Sequence, residues 1–361
     1  MRVLMVMEKL IVGGAETVAL ELAGVLKERG CYVSVAAIRG GGGRKDEFAG
    51  ASTVVHDGLA ANRFDLTAAV RIARIIRKER IESVIVVDAL RNGLLFSTIG
   101  ATLSGRKVAR TCWCHASPGR QVKDFVRQLK IYLATGLLDE IVCVSRYLRE
   151  ELLIRGLSQR YVRVVHNGID LNGIDSAAPA TDFPENKHIL VQVANVQPWK
   201  DFETLLSATS QLAGRRGDFH LVLIGRGTDS PEMTDRIARA GLKDFITTAG
   251  VRHDVPAILA AADVCVLSTH VETFGVAVLE GMAASVPVVA SDVESLSEVF
   301  THEAEGLKVP PGDADALAGA IERLLDDETL RHRMGQAGKK RSEEFSSERM
   351  ADGFQQMLVD S

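Results

Sequence analysis

Short β-branched runs alternate with helical patterns from one end of the chain to the other, and this alternation limits the fold more than any other feature. In residues 1–170 the strand-like runs are RVLMVM (2–7), YVSVAAI (32–38), TVVHD (53–57), SVIVVD (83–88), KVARTCW (107–113), EIVCVS (140–145) and RVVHN (163–167). Helical stretches such as 15–29, 66–80 and 146–155 fall between them. The second half repeats the scheme with HILVQVA (188–194), HLVLIG (220–225), FITTAG (245–250), VCVLS (264–268) and VPVVAS (286–291). Strands alternating with helices of about 10–15 residues predict parallel, doubly wound sheets. At 361 residues the chain has room for two α/β domains, each with its own core. Pro179, Pro184 and small polar residues mark 171–187 as a linker between domains spanning 1–170 and 188–344, with 345–361 expected to be a helix returning to the first domain.

Composition removes several classes. At 46% hydrophobic and 25% charged residues the chain reads as an ordinary globular protein. No apolar run approaches the roughly 18–20 residues of a membrane span. Glu8 and Lys9 interrupt the apolar N-terminus MRVLMVMEKL, so a signal peptide is not expected and a cytoplasmic location is. Five cysteines without CxxC spacing are expected to be reduced, with Cys112 and Cys114 on one face of a strand as core. Net charge is uneven: residues 1–170 carry 26 Lys and Arg against 17 Asp and Glu, and the remainder 17 against 30. The basic half implies an anionic partner.

In parallel sheets ligands bind beyond the carboxyl ends of the strands, so the residues just after each strand carry the information. THVETFGVAVLEGMAASVPVVAS (269–291) places Glu272 and Glu280 in an otherwise apolar, small-residue stretch, with seven residues between them. A helix starting near Phe274-Gly275 would offer free amides, and the helix dipole, to an anion. Glu272 would then serve neutral hydroxyls beside a phosphate, because like charges repel. Glu280 would lie about 7.5 Å along the helix, roughly the reach from a diphosphate to the ribose of its own nucleoside. A carboxylate can accept from both vicinal hydroxyls of a ribose. The residues by themselves equally allow a first-turn Glu favoured by the dipole and a second, solvated Glu.

Glu272-x7-Glu280 followed by GMAASVPVVASDVES resembles the signature of retaining family 4 glycosyltransferases with the GT-B fold. IVGGAET (11–17), VVHNGID (164–170), VANVQPWKDFETLLSA (193–208), LVLIGRG (221–227) and AGVRHDVPAILAAADVCVLST (249–269) resemble further segments of that family, in the family's order. The resemblance implies two Rossmann-like domains facing across a cleft, and transfer of a sugar from a nucleotide diphosphate to a glycan, lipid-linked or small-molecule acceptor. It implies bacterial polysaccharide or glycolipid assembly as the setting. It assigns ribose to Glu280, donor-sugar hydroxyls to Glu272, and the diphosphate to the backbone of Thr273, Phe274 and Gly275. Lys200 would neutralise the leaving phosphate, and His115 would contact donor-sugar hydroxyls. Base-selecting backbone groups would lie around Val251. The family is generally discussed as retaining configuration by front-face attack within an ion pair.

Where that family carries an Arg, this chain has Asn195, which can donate to phosphate but brings no charge; Arg226 after the next strand is a candidate to compensate. Gly13 and Gly14 would let backbone approach a ligand closely. They are not part of a GxGxxG motif, and AAIRG ends without the acid that would hold a nicotinamide cofactor's ribose, which argues against a dehydrogenase. His270 reads as a loop residue. The nine histidines show no HxH or HExxH pattern, so neither a metal nor any other cofactor is expected. Arg71, Arg74, Arg77 and Lys78 share one predicted helix, and Arg120, Lys123, Arg127 and Lys130 line one face of another. Apolar Val122, Phe125, Val126, Leu129 and Leu133 fill much of the other side. The basic face reads either as an ordinary solvated face or as one that meets an anionic membrane surface or a phosphorylated acceptor. With the basic charge of this half, peripheral association with anionic lipid is expected, and no nucleic-acid partner. A nucleotide-sugar epimerase of similar architecture and a catalytically silent nucleotide-sugar-binding protein remain as alternatives.

Overall fold

Seven parallel strands build the first sheet of the computed structural model, which describes residues 1–87, 92–115 and 122–360. They are β1 (Arg2–Met7), β2 (Tyr32–Ala37), β3 (Val54–His56), β4 (Ser83–Val87), β5 (Ala109–Cys114), β6 (Glu140–Cys143) and β7 (Val162–Val164). Their order is β3-β2-β1-β4-β5-β6-β7, with Val3 paired to Val33 of β2 on one side and to Ser83 of β4 on the other. Helices cover the sheet, so the central strands are buried on both faces. That is why β1 and β4 read as unbroken apolar runs rather than alternating ones.

The second sheet has six parallel strands: β8 (His188–Val193), β9 (Phe219–Ile224), β10 (Ile246–Gly250), β11 (Val264–Leu267), β12 (Val288–Ser291) and β13 (Gly306–Val309). They run in the order β10-β9-β8-β11-β12-β13. The sequence pattern anticipates every strand of both sheets except β13. GLKV is four residues long, opens on glycine and carries a lysine, so it lacks the β-branched run that betrays the others. The glycine has a packing reason: a Cβ on Gly306 would stand 2.4 Å from the Val288 carbonyl oxygen of the neighbouring strand.

The chain divides into two compact units, Met1–Gly168 with Ser347–Ser361, and Ile169–Ser346. The segment 171–187 is held on the second unit. Asp170 caps the short helix Leu171–Asp175 by accepting from the Gly173 amide, Ala180 N donates to Ala257 O at 2.9 Å, and Asp182 pairs with Arg252. The last helix, Ser347–Asp360, completes the first unit's core. Phe354, fully buried, meets the edge of the equally buried Trp113 with ring centroids 4.7 Å apart. Arg29, just beyond helix Gly14–Glu28, donates to Asp352 and Gln355 at 2.7 and 2.6 Å.

Phe354→Ala therefore removes a core aromatic contributed by the far end of the chain. We expect it to destabilise the first unit by about 3–5 kcal/mol. In a Trp199→Phe background, where Trp113 is the remaining tryptophan, its emission in a urea titration should report a lowered midpoint. An unchanged midpoint would mean that this helix is not part of the unit's cooperative core.

Candidate functional site

In the second sheet the strand order reverses between β8 and β11, so the loops after these two strands diverge from one crevice at the carboxyl edge. The two loops are tied to each other. Trp199 O accepts from His270 N at 2.8 Å and from Thr269 Oγ1 at 3.0 Å, and Asp201 N donates to Ser268 O at 3.2 Å. The Asp201 carboxylate is buried: Oδ1 caps helix Phe202–Ala213 by accepting from Thr204 N, and Oδ2 lies 3.2 Å from His270 Nε2. Behind the second loop, Ser291 Oγ at the end of β12 accepts from Thr269 N at 2.9 Å.

This framework brings Lys200 and Glu272 together. The Lys200 ammonium donates to Glu272 Oε2, and both side chains are largely withdrawn from water. Glu272 Oε1 accepts from the Thr273 amide at 3.0 Å, and the Phe274 amide adds a further bond to the carboxylate. Burial alone would raise the Glu272 pKa. The charge and hydrogen bond of Lys200, with the two amides, outweigh that and hold it below the ordinary carboxylate value. The family resemblance implies separate roles, the amides and Lys200 for an anion and Glu272 for hydroxyls. In the structure the Glu272 carboxylate itself is the anion that the lysine and the amides hold.

The backbone beyond Glu272 is fixed by packing. Phe274 is buried, edge-on to Phe345 at 5.6 Å, and Ser295 Oγ donates to Glu272 O at 2.8 Å. Gly275 then begins helix Val276–Ala283 with φ +90°, a left-handed conformation, and a Cβ there would stand 2.4 Å from Leu296 Cδ2. The left-handed φ favours glycine, and a Cβ would in addition push the buried Leu296 side chain aside. Glu280, partly buried, is the fifth residue of this helix. Behind it, burial first and the Glu280 charge second push the Cys265 thiol up to about 12, so Cys265 stays a neutral core thiol.

Asn195 follows β8, and its side chain is partly engaged. Its Oδ1 accepts from Arg226 N at 2.8 Å, beside a backbone bond from Val196 N to Arg226 O, so the amide ties the β8 and β9 loops together. Only Nδ2 is left to donate elsewhere. The Arg226 guanidinium is exposed and has no ion pair among the described residues. Val251 follows β10 and is 43% exposed. Asp201 and Trp199 went unremarked in the sequence. An Asp three residues before Thr204 is a helix N-cap signal that was there to be read.

The remaining candidates belong to the first unit. His115 follows β5 with its ring 4.6 Å from that of Trp113; burial pushes its pKa down to about 3, so the imidazole is neutral at physiological pH. Gly13 caps helix Gly14–Glu28 after β1, and the Glu16 carboxylate lies 2.5 Å from where a Gly13 Cβ would be, while a Cβ on Gly14 would meet open space. Arg120 and the Lys123 side chain lie outside the described residues. In helix Val122–Ala134 the apolar residues Phe125, Val126, Leu129 and Leu133 are buried in their own unit, so the insertable apolar side expected of a membrane-lying helix is already used. Arg127, Lys130 and Ile131 remain exposed, and Lys130 Nζ donates to Arg155 O at 2.7 Å. On the earlier helix, Arg71 and Arg77 donate to backbone carbonyls of Leu59 and of Leu103 and Ser104, which makes them structural ties. Among the described residues no three His, Cys, Asp or Glu side chains gather as metal ligands would.

Two family models divide the chain between them: residues 174–341 match glycosyl transferases group 1, and residues 12–172 match glycosyltransferase family 4. Among curated proteins, the chain is 26% identical to the lipopolysaccharide core biosynthesis glycosyltransferase LpsE of Rhizobium meliloti, over 96% of each chain. It is 27% identical to LpsD of the same organism, over 95% of this chain and 94% of that one. Among solved structures, Anabaena HepE in complex with UDP and glucose superimposes with a TM-score of 0.84 at 18% identity, covering 100% of both chains. That likeness establishes the GT-B fold.

The Glu272 ion pair has a pH signature. A carboxylate whose folded pKa lies below its ordinary 4.5 adds stability that is fully present above that value and is lost as pH falls through the folded one. Glu272→Gln should therefore flatten the acid limb of the second unit's stability below about pH 5 and cost ~1–3 kcal/mol at neutral pH. Denaturant midpoints of the two proteins from pH 3 to 7 check this. Parallel acid limbs would show that Lys200 does not hold the carboxylate ionised.

Proposed function

The chain belongs to the family 4 glycosyltransferases, and from that premise we propose that it takes a sugar from a nucleotide diphosphate with retention of configuration and without a metal ion. The observation that carries this reading is the anion site at the start of helix Val276–Ala283, where Lys200 and the Thr273 and Phe274 amides already hold a carboxylate. A diphosphate would compete for the same donors. Lys200 and the amides would then face charge that grows on the leaving oxygen as the glycosidic bond breaks, the place where a fixed cation lowers a barrier most. These groups supply what a divalent ion supplies elsewhere. Glu272, displaced from Lys200, would accept from glycosyl hydroxyls, and Glu280 from the ribose. Arg226, exposed in the loop after β9, would add the charge that Asn195 lacks.

Retention follows here from the resemblance to the family: the departing phosphate accepts the proton of the attacking hydroxyl on the same face. UDP is the donor nucleotide to try first, because HepE was crystallised with it. A lipid-linked glycan is the preferred acceptor class, in line with the lipopolysaccharide core relatives. We place the protein in the cytoplasm, associating peripherally with anionic lipid through exposed basic residues such as Arg127. The attraction would be electrostatic, since the apolar side of that helix is buried and no helix among the described residues is long and apolar enough to cross a membrane.

The test is a panel of UDP-, GDP- and ADP-sugars with a lipid-linked glycan acceptor, the product anomer read by NMR. Transfer with retention, undiminished by EDTA, is expected. Glu280→Ala should raise the donor Kd at least tenfold. Inversion or loss of activity with EDTA overturns the mechanism, isomerised donor restores the epimerase reading, and unchanged affinity in Glu280→Ala removes the ribose assignment.

Liposome flotation checks the membrane proposal. Binding should require anionic lipid and fall steeply with salt, since surface charges are screened within about 8 Å at physiological ionic strength. Equal binding to neutral and anionic vesicles would overturn it.

A further inference from the structure

The chain has two tryptophans with opposite surroundings. Trp113 is fully buried in the first unit, whereas Trp199 is 42% exposed in the loop after β8. Its backbone is nevertheless among the best fixed in the site. Gln197-Pro198-Trp199-Lys200 closes a turn, Lys200 N donating to Gln197 O at 3.0 Å, with proline at the second position where its fixed φ suits a turn. The Trp199 carbonyl takes the hydrogen bonds from Thr269 and His270 that join the two loops, and the next residue is the lysine paired with Glu272. A rigid turn thus holds a large aromatic side chain partly in water, where it forgoes much of the stabilisation that burial would give.

We propose that Trp199 is a specificity-determining residue that stacks its indole on the C–H face of a pyranose. The proposal rests on the reading of this site as a nucleotide-sugar site and adds to it a recognition element for the sugar ring. Glu272 and Lys200 can hold hydroxyls and phosphate, but neither offers an apolar surface to the ring carbons. An indole does, and because the turn already fixes its backbone only two side-chain torsions are left to order on binding. Trp199 immediately precedes Lys200, whose partner Glu272 is the residue given to the sugar, whereas Glu280 lies farther along helix Val276–Ala283 at the end given to the nucleoside. The ring could belong to the donor or to the acceptor glycan; both present the same C–H face.

Wild type, Trp199→Ala and Trp199→Phe are titrated with UDP, UDP-glucose and a free acceptor glycan. Calorimetry gives the affinities, and the emission lost in Trp199→Phe gives the fluorescence of Trp199. The expected result is a change in Trp199 emission with a sugar-bearing ligand well beyond that with UDP. Trp199→Ala should weaken that ligand about tenfold, leave UDP affinity within twofold, and be largely rescued by Trp199→Phe. Response to UDP-glucose assigns the stacked ring to the donor, and response to the glycan assigns it to the acceptor. Equal weakening of UDP and UDP-glucose overturns the proposal in favour of a base or phosphate contact, or a merely structural role. Unchanged affinities in Trp199→Ala overturn it outright. If wild type binds no nucleotide sugar, the parent reading of the site fails and this one with it, an outcome distinct from the other two.

Discussion

A lysine and a glutamate 72 residues apart in sequence share one ion pair at the carboxyl edge of the second sheet, and the organisation of the site depends on it. Withdrawing two charges from water is unfavourable unless each finds good partners. Lys200 finds the carboxylate; Glu272 finds the lysine and two backbone amides. The pair makes sense only where the loops after β8 and β11 are held close. The hydrogen bonds through Trp199, Asp201 and Ser268, the capped helix after Asp201 and the left-handed glycine at 275 all serve that end. A carboxylate resting on phosphate-type donors keeps those donors oriented, so an incoming diphosphate would meet a preorganised site and only one side chain would have to turn away.

The topology explains why the site is there. Both sheets reverse their strand order next to their first strands, β1 and β8, and such a reversal opens a crevice that side chains from two loops can line. In the second unit the flanking loops carry Asn195, Lys200 and Glu272, with Arg226 and Val251 one and two strands away. In the first, Gly13 and Gly14 follow β1 and His115 follows β5. The neutral state that burial imposes on His115 lets its ring donate or accept a hydrogen bond without adding charge.

Three features show how far a local pattern reaches. The apolar residues of helix Val122–Ala134 were legible as a stripe, but a stripe records only that something covers it, and here the cover is the unit's own core. Asn195 was legible as a departure from the family's arginine, yet its carbonyl is engaged by a backbone amide from another loop, which no local pattern announces. Glu272 reads, beside a phosphate, as a ligand for neutral hydroxyls. In the structure its carboxylate is itself the anion held by Lys200 and the Thr273 and Phe274 amides, because a carboxylate satisfies such donors when they converge on it.

Every strand but β13, the parallel sheets and the two-part organisation were legible in the sequence alone, as was the resemblance that groups Glu272, Glu280 and Lys200. Burial on both faces writes itself as continuous apolar runs, and a helix start writes itself in its flanking residues. What the tertiary structure alone decided is which polar groups face each other: Lys200 with Glu272, Asn195 with Arg226, Asp201 with His270. Such pairings depend on distances between loops that are remote along the chain. Hydrogen bonds and charges act over only a few ångströms, so these partners are fixed by the packing of the strands that carry them and leave no mark in the spacing of residues.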